Sequence, residues 1–410
     1  MKKLIILSSL FASALFSLTS CEGTTEPDPN TDTFTVVEEN GSMKISGIIN
    51  RNYTMDADKD WTLSGGVFVG DGATLTIEEG TTIKSERNGA NVAFLSVSRG
   101  GKLMADGSAS NPIVFTSGEE TPAAGDWGGI IVNGKATINT GAEAEGEGGT
   151  GTYGGTNDND NSGVIRYVRV EYAGRLLGTD NELNGFSFNG VGNGTTIEYI
   201  QAYKGADDGI EFFGGTVNLK YAVSTGNQDD SFDWTHGWRG KGQFWVVNQL
   251  PGGGDRGIEA DNNGDDNTLQ PNSNPTLCNL TLVGSDDGDA ENTGMRLREG
   301  TMAAIYNAIV TNFPKNGVRV SDQVTTDHMT NGDLVVAHSI SANNGTNWKD
   351  CADFENDASN SSVDPALNGY VGTVAANAVD PTTLDGFFSA GTYIGAVEAS
   401  NDWTAGWTIQ

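Results

Sequence analysis

A short motif returns along the chain: a turn residue, usually followed by glycine, and then an apolar–polar–apolar triplet. It is read in Asn184-Gly-Phe-Ser-Phe, Asp208-Gly-Ile-Glu-Phe, Asp230-Ser-Phe-Asp-Trp, Arg256-Gly-Ile-Glu-Ala, Thr293-Gly-Met-Arg-Leu and Asn316-Gly-Val-Arg-Val. The first apolar positions, Phe186, Ile210, Phe232, Ile258, Met295 and Val318, are separated by 24, 22, 26, 37 and 23 residues. A second strand travels with the first, in Ile165-Arg-Tyr-Val, Ile197-Glu-Tyr-Ile, Leu219-Lys-Tyr-Ala, Leu277-Cys-Asn-Leu and Ile305-Tyr-Asn-Ala. Nearer the start, Leu75-Thr-Ile with Gly80-Thr-Thr-Ile recurs as Leu95-Ser-Val with Gly100-Gly-Lys-Leu, 20 residues later. Alternation sends one side chain in and the next out. Each unit therefore buries its apolar positions only when stacked on its neighbours.

These features predict an all-β fold: a single-stranded, right-handed parallel β-helix, its hand taken from the rule for parallel crossovers. Glycine fills 57 of 410 positions, about twice its usual share of ~7%, as a chain turning at every corner requires. A βαβ sheet needs amphipathic helices between its strands, and none fits between Ile197 and Trp234. Propeller blades run longer, at about 40–45 residues. With ~22 residues a coil, about 12 coils rising near 4.8 Å each give a rod of roughly 55 to 60 Å. The β-helix is expected over residues 41–410, with Gly41 to Trp61 covering the first coil and the tail Trp403-Thr-Ala-Gly-Trp407 covering the last. Glycine-rich polar insertions near 140–163 and 252–275 leave the repeat and form loops.

The first segment reads as an address. Met1-Lys2-Lys3 followed by the apolar run Leu4 to Leu18 has the form of a secretory signal peptide over residues 1–20, and the run is short of the ~20 residues that span a bilayer. Leu18-Thr19-Ser20-Cys21 resembles the lipobox of bacterial lipoproteins, which implies a lipidated Cys21 and a membrane anchor. Residues 21–40 are polar and acidic, with Pro27 and Pro29, and read as a flexible stalk. The formal charge is −31, and the leader carries two lysines and no acid, so its loss deepens that charge. Phosphate backbones demand the opposite sign, so nucleic acid is excluded as a partner. Cys278 and Cys351 remain after Cys21, and an exported chain leaves two readings open: a disulfide, or two buried thiols.

Gly125-Asp-Trp-Gly-Gly-Ile, Ala206-Asp-Asp-Gly-Ile-Glu-Phe-Phe-Gly-Gly, Asp229-Asp-Ser-Phe-Asp-Trp with Gly240-Lys-Gly-Gln-Phe, Arg256-Gly-Ile-Glu-Ala-Asp, and Asp385-Gly-Phe-Phe through Tyr393-Ile-Gly-Ala to Trp403 carry a resemblance. The chain is similar to Gram-negative outer-membrane lipoproteins with a parallel β-helix. That resemblance implies a lipid-anchored, surface-exposed protein and brings no established activity. Its motifs often have Asp where this chain has His236, which weakens His236 as a catalyst.

The register carries the chemistry. With Ile210 and Phe212 inward, Ser187, Glu211, Asp233, Glu259, Arg296 and Arg319 form one outward column, neighbours ~4.8 Å apart. Three adjacent carboxylates repel unless a cation lies among them, and Ca²⁺, which takes six to eight oxygens, suits such a group. Asp207-Asp208 and Asp229-Asp230 lie 22 residues apart, hence at one corner of successive coils. The candidate metal ligands are thus Asp207, Asp208, Glu211, Asp229, Asp230, Asp233 and Glu259; a solvated charged face is the alternative. Asp158-Asn-Asp160-Asn-Ser162-Gly163 begins like an EF-hand loop, but its twelfth position is Arg169, which excludes a complete one. Trp234 and Trp238, with Arg296 and Arg319, are candidate ligand-binding residues for a glycan, the alternative for the rings being the core.

Three functions stay open. The first is a non-catalytic surface protein for adhesion or ligand capture, of glycans or of surface proteins. The second is a polysaccharide lyase or glycoside hydrolase: Asp208 and Asp230 on neighbouring coils would supply the acid and base of a hydrolase, and a lyase would use an arginine base beside Ca²⁺-bound carboxylates. The third is a structural coat component of the outer membrane.

Overall fold

The computed structural model describes residues 33–410 apart from 88, 90, 179, 180 and 286–291. The expected signal peptide, the lipidated Cys21 and most of the stalk lie outside the described residues. The rest is a parallel β-helix with three faces. On the first face, rungs begin at Ser42–Ile49 and continue through Asp60–Val69, Phe94–Val97, Ile130–Asn133, Phe186–Asn189, Ile210–Phe213, Phe232–Thr235, Arg256–Ala260, Thr293–Leu297, Asn316–Val320 and Thr346–Lys349. That makes eleven rungs, against the expected figure near twelve. The 37-residue step before Met295 does not break register, because Ile258 pairs directly with Met295.

The second and third faces share one long strand per coil, as in Thr196–Tyr203, Asn218–Thr225, Lys241–Asn248, Thr276–Val283 and Ala303–Thr311. Each is bent in its middle by a residue with positive φ: Tyr167, Tyr199, Tyr221, Phe244, Asn279, Asn307 and His338, with φ between 49° and 60°. Asparagine tolerates this region and bulky aromatics seldom enter it. Here stacking compensates the aromatics: ring centroids lie 4.3 Å apart for Tyr167 and Tyr199, 4.2 Å for Tyr199 and Tyr221, and 4.9 Å for Tyr221 and Phe244. The motif read as a second strand is therefore a strand, a corner and a third face.

The inward residues Phe186, Phe188, Ile210, Phe212, Phe232, Trp234, Ile258 and Met295 are fully buried. Both ends are closed differently from the expectation. Ser42–Ile49 pairs in parallel with Asp60–Val69, so it is the first coil itself. Thr35–Glu39, assigned above to the stalk, is the cap strand and pairs antiparallel with it. The last coil is closed by Trp348, Cys351 and Phe354, which join the main core through the short helix Ala352–Glu355. The Trp403–Trp407 tail does not reach that end; it lies along the side of the rod, with Trp407 against Tyr167 and Tyr199.

Cys278 and Cys351 are both buried free thiols, so the disulfide reading is corrected. Cys278 lies on a second-face strand and Cys351 beyond the last first-face rung, where its Sγ lies 3.6 Å from the Val318 carbonyl oxygen. Burial pushes both thiols up to about 12.

Candidate functional site

The first face carries the site, and the loops decide which part of it is open. The 140–163 insertion folds across its upper rungs: Ser96 Oγ and Asn133 Nδ2 both donate to the Thr150 carbonyl oxygen, at 2.6 and 3.0 Å. Tyr153 from the same loop contacts His236, Oη to Nδ1, at 3.1 Å. His236 sits at a corner with φ 53°, and burial pulls its pKa down to about 4. It anchors the loop. Asp158 and Asp160 of the insertion accept from the Thr137 and Lys135 amides, so their oxygens hold backbone rather than an ion. The second insertion is split by the rung Arg256–Ala260, leaving excursions on either side of it.

Below the insertion the outward column runs Ser187, Glu211, Asp233, Glu259, Arg296, Arg319 and then Lys349. Beside it, at the corner entering each rung, stand Asp207 with Asp208, Asp229 with Asp230, and Asp255. The Asp230 amide donates to Asp208 Oδ1 at 2.9 Å, which ties the two corners together. Four overlapping sets of three carboxylates have oxygens within 4.8 Å of one another: Asp207, Asp208 and Asp229; Asp208, Glu211 and Asp233; Asp229, Asp230 and Asp255; Asp230, Asp233 and Glu259.

Charge compensation divides this group in two. Glu259 has Arg256 Nε at 2.8 Å and Arg298 Nη2 at 2.6 Å, and Asp261 has Arg298 Nε at 2.9 Å. Asp230 shares Arg256 at 3.5 Å. Asp208, Glu211 and Asp233 have no ion pair among the described residues. Asp208 and Glu211 are 7% and 8% exposed, and Asp233 Oδ1 is buried without a hydrogen-bond partner. Burial and neighbouring carboxylates raise Asp208, Glu211, Asp230 and Asp233 well above the usual range, and burial with Asp229 beside it raises Asp207 to about 8. Uncompensated buried carboxylates are costly, and an all-oxygen donor set suits a hard cation such as Ca²⁺. The donors fit that ion best around Asp208, Glu211 and Asp233; Glu259 is already neutralised by arginine.

The opposite half is basic. Arg296 reaches Glu259 only at 3.8 Å, and the Nε atoms of Arg296 and Arg319 are buried without partners. These two remain placed for a ligand. Trp234 and Trp238 do not. Both are 0% exposed; Trp238 stacks on Phe212 at 4.1 Å and donates its Nε1 to the Val217 carbonyl, while Trp234 donates to Thr301 Oγ1. The alternation that sends Asp233 outward sends Trp234 into the core. Trp238→Ala is accordingly expected to cost about 3–5 kcal/mol in urea melts; a cost under about 1 kcal/mol would contradict its place in the core.

Asp255 and Asp261 escaped the sequence reading, although Asp255 follows Asp229 by 26 residues, the interval from Phe232 to Ile258. Glu147, on the insertion, is raised to about 7 by burial and by Glu182; it had no periodic signal. Neither a curated protein nor a solved structure matches the chain. A family model described as "Pectate-lyase like beta helix domain" matches residues 47–408, and the chain belongs to that family.

Proposed function

We propose that the protein binds acidic polysaccharide at the cell surface, through Ca²⁺ held on the acidic half of its first face and through arginines on the basic half. One observation carries this reading: a single column changes from the uncompensated carboxylates Glu211 and Asp233 to the underused guanidinium groups of Arg296 and Arg319. A bare chain of charge −31 repels a polyanion. A cation among Asp208, Glu211 and Asp233 reverses that locally and gives one ligand carboxylate a partner, while Arg296 and Arg319 give the next one a second. The lipobox-like stretch ending at Cys21 supports a tether to the outer membrane, and among the described residues no helix is long and apolar enough to cross a membrane.

Binding of polyuronate and sulfated glycans, measured with Ca²⁺ and with chelator, tests this. The expected result is Ca²⁺-dependent binding weakened about tenfold or more in Arg296→Gln, the loss of one charge-assisted contact, and abolished in Asp208→Asn/Asp233→Asn. Equal binding with and without chelator would sink it. A second reading, β-elimination of the same class of glycan, is favoured by one further observation. Burial and the adjacent Arg256 and Arg298 lower the pKa of Arg296, as a general base beside carboxylates requires. Appearance of unsaturated ends in the same assay, lost in Arg296→Gln, selects that reading; their absence selects binding alone.

A further inference from the structure

Around the corner from the acidic group, where the third face turns into the first, lies a cavity of about 290 Å³. The corner positions here are Tyr172, Lys204 and Gly226, with φ of 61°, 52° and 63°. They are stacked by backbone hydrogen bonds from Tyr172 N to the Tyr203 carbonyl, from Lys204 N to the Thr225 carbonyl and from Gly226 N to the Asn248 carbonyl. Gly226 and Leu250 both line it, and Leu250 packs so closely over Gly226 that a Cβ there would meet its Cδ1 at 2.7 Å. Loop residues 122–124 form one wall and 250–253 the other.

Its lining is mixed in a way that identifies a ligand. Tyr172 offers a ring, Gln228 an exposed amide, and Lys204 an ammonium. Lys204 holds its Nζ over the Tyr203 ring, 5.2 Å from the centroid, rather than against a carboxylate. In a chain with 54 acids and 23 bases, a lysine that lines a cavity and makes no ion pair among the described residues is placed to receive an anion. The volume falls just below the ~300–1,000 Å³ of pockets for drug-sized ligands, so it suits one ring rather than a run of them. The cavity also adjoins the acidic corner, since Gln228 lines it and the next residue is Asp229.

We propose that this pocket binds a single uronic-acid ring, its carboxylate on Lys204, its hydroxyl groups on Gln228 and its apolar face on Tyr172. It is a terminal subsite for the acidic glycan of the preceding section and rests on that reading for the identity of the longer ligand, but it needs no cation.

Sodium glucuronate titrated into the intact protein in EDTA, followed by saturation-transfer NMR and calorimetry, tests it. Saturable binding is expected, with methyl glucoside, which lacks the carboxylate, binding at least about tenfold more weakly. Lys204→Met should weaken glucuronate by a similar factor. Gly253→Phe should abolish binding by filling the cavity: a Cβ at Gly253 meets nothing closer than 3.7 Å, so the backbone accepts the change, and an unaltered melting midpoint verifies that. No binding of glucuronate, equal binding of the neutral sugar, or undiminished binding by a folded Gly253→Phe each overturns the proposal. Because the titration is run in chelator, these failures leave the Ca²⁺-dependent reading standing, and failure of that reading leaves this result intact.

Discussion

In chelator, the melting temperature of this protein should fall as pH rises from about 4 to about 8, and Ca²⁺ should restore it at the upper end only. A carboxylate whose folded pKa is raised binds more protons folded than unfolded. Its stabilising contribution is complete below the unfolded pKa and is lost as pH rises through the folded one. Asp207, raised from 3.8 to about 8 by burial and Asp229, sets the upper edge of that window; Asp261, raised to about 7 by burial, falls within it. Asp208, Glu211, Asp230 and Asp233 shift in the same direction from burial and mutual repulsion. A ligand at a hundredfold excess over its dissociation constant stabilises by about 2.7 kcal/mol, which is about 3 °C for a chain of this size. At pH 4 the carboxyl groups are protonated and the ion gains little. Asp233→Asn should raise the midpoint in chelator at pH 8, because it removes an uncompensated charge, and should erase the response to Ca²⁺. Identical midpoints at pH 8 with and without Ca²⁺ would remove the cation from the mechanism.

Why the acidic column was legible in the sequence, and other parts were not, has a physical basis. A solenoid turns sequence separation into vertical distance, so a polar residue held between two apolar ones every two dozen positions must surface in line. Glu211, Asp233 and Glu259 needed only that rule, and it also reached across the long step to Arg296. Applied consistently, it places Trp234 inside, since Phe232 and Trp234 flank Asp233; aromatic content alone suggested a sugar platform. The third face stayed hidden because its corner is made by Tyr167, Tyr199 and Tyr221, whose side chains give no local turn signal and enter positive φ only with the stack in place. The free thiols, the arginines that neutralise Glu259 and the docking of the tail depend on contacts without a period. Gln201 and Ile409 are 208 residues apart and share two hydrogen bonds.

Truncation before Ala366 should yield a chain that melts lower and self-associates more than the full-length protein. The segment from there to Gln410 runs back along the corner between the second and third faces, over the aromatic stack. Three corner-side amides each pair both ways with its backbone: Asn307 with Val379, Gln243 with Ser389, and Gln201 with Ile409, at 2.7–2.9 Å. Asn279 donates to the Gly391 and Tyr393 carbonyls, and Arg169 Nη1 to the Trp407 carbonyl at 2.7 Å. Trp403 lies 5.2 Å from Tyr221, and Trp407, 1% exposed, lies 5.6 Å from Tyr167. At about 1 kcal/mol net per hydrogen bond and about 1.5–3 kcal/mol per buried apolar side chain such as Ile394 and Val397, these contacts gain on the order of 10 kcal/mol, against which stands the entropy of ordering the segment. Its removal also uncovers a continuous row of rings, an association surface in its own right. The strands it fastens, Thr196–Tyr203 through Thr276–Val283, alternate in the chain with the rungs that carry Glu211, Asp233 and Glu259. The strap thus braces the same coils that carboxylate repulsion strains from the first face. Trp407→Ala, which leaves the backbone bonds in place, should cost about 3–5 kcal/mol and should cost more in chelator at pH 8 than at pH 5. A truncated chain that associates no more than the full-length protein and keeps its midpoint would show that the strap braces nothing.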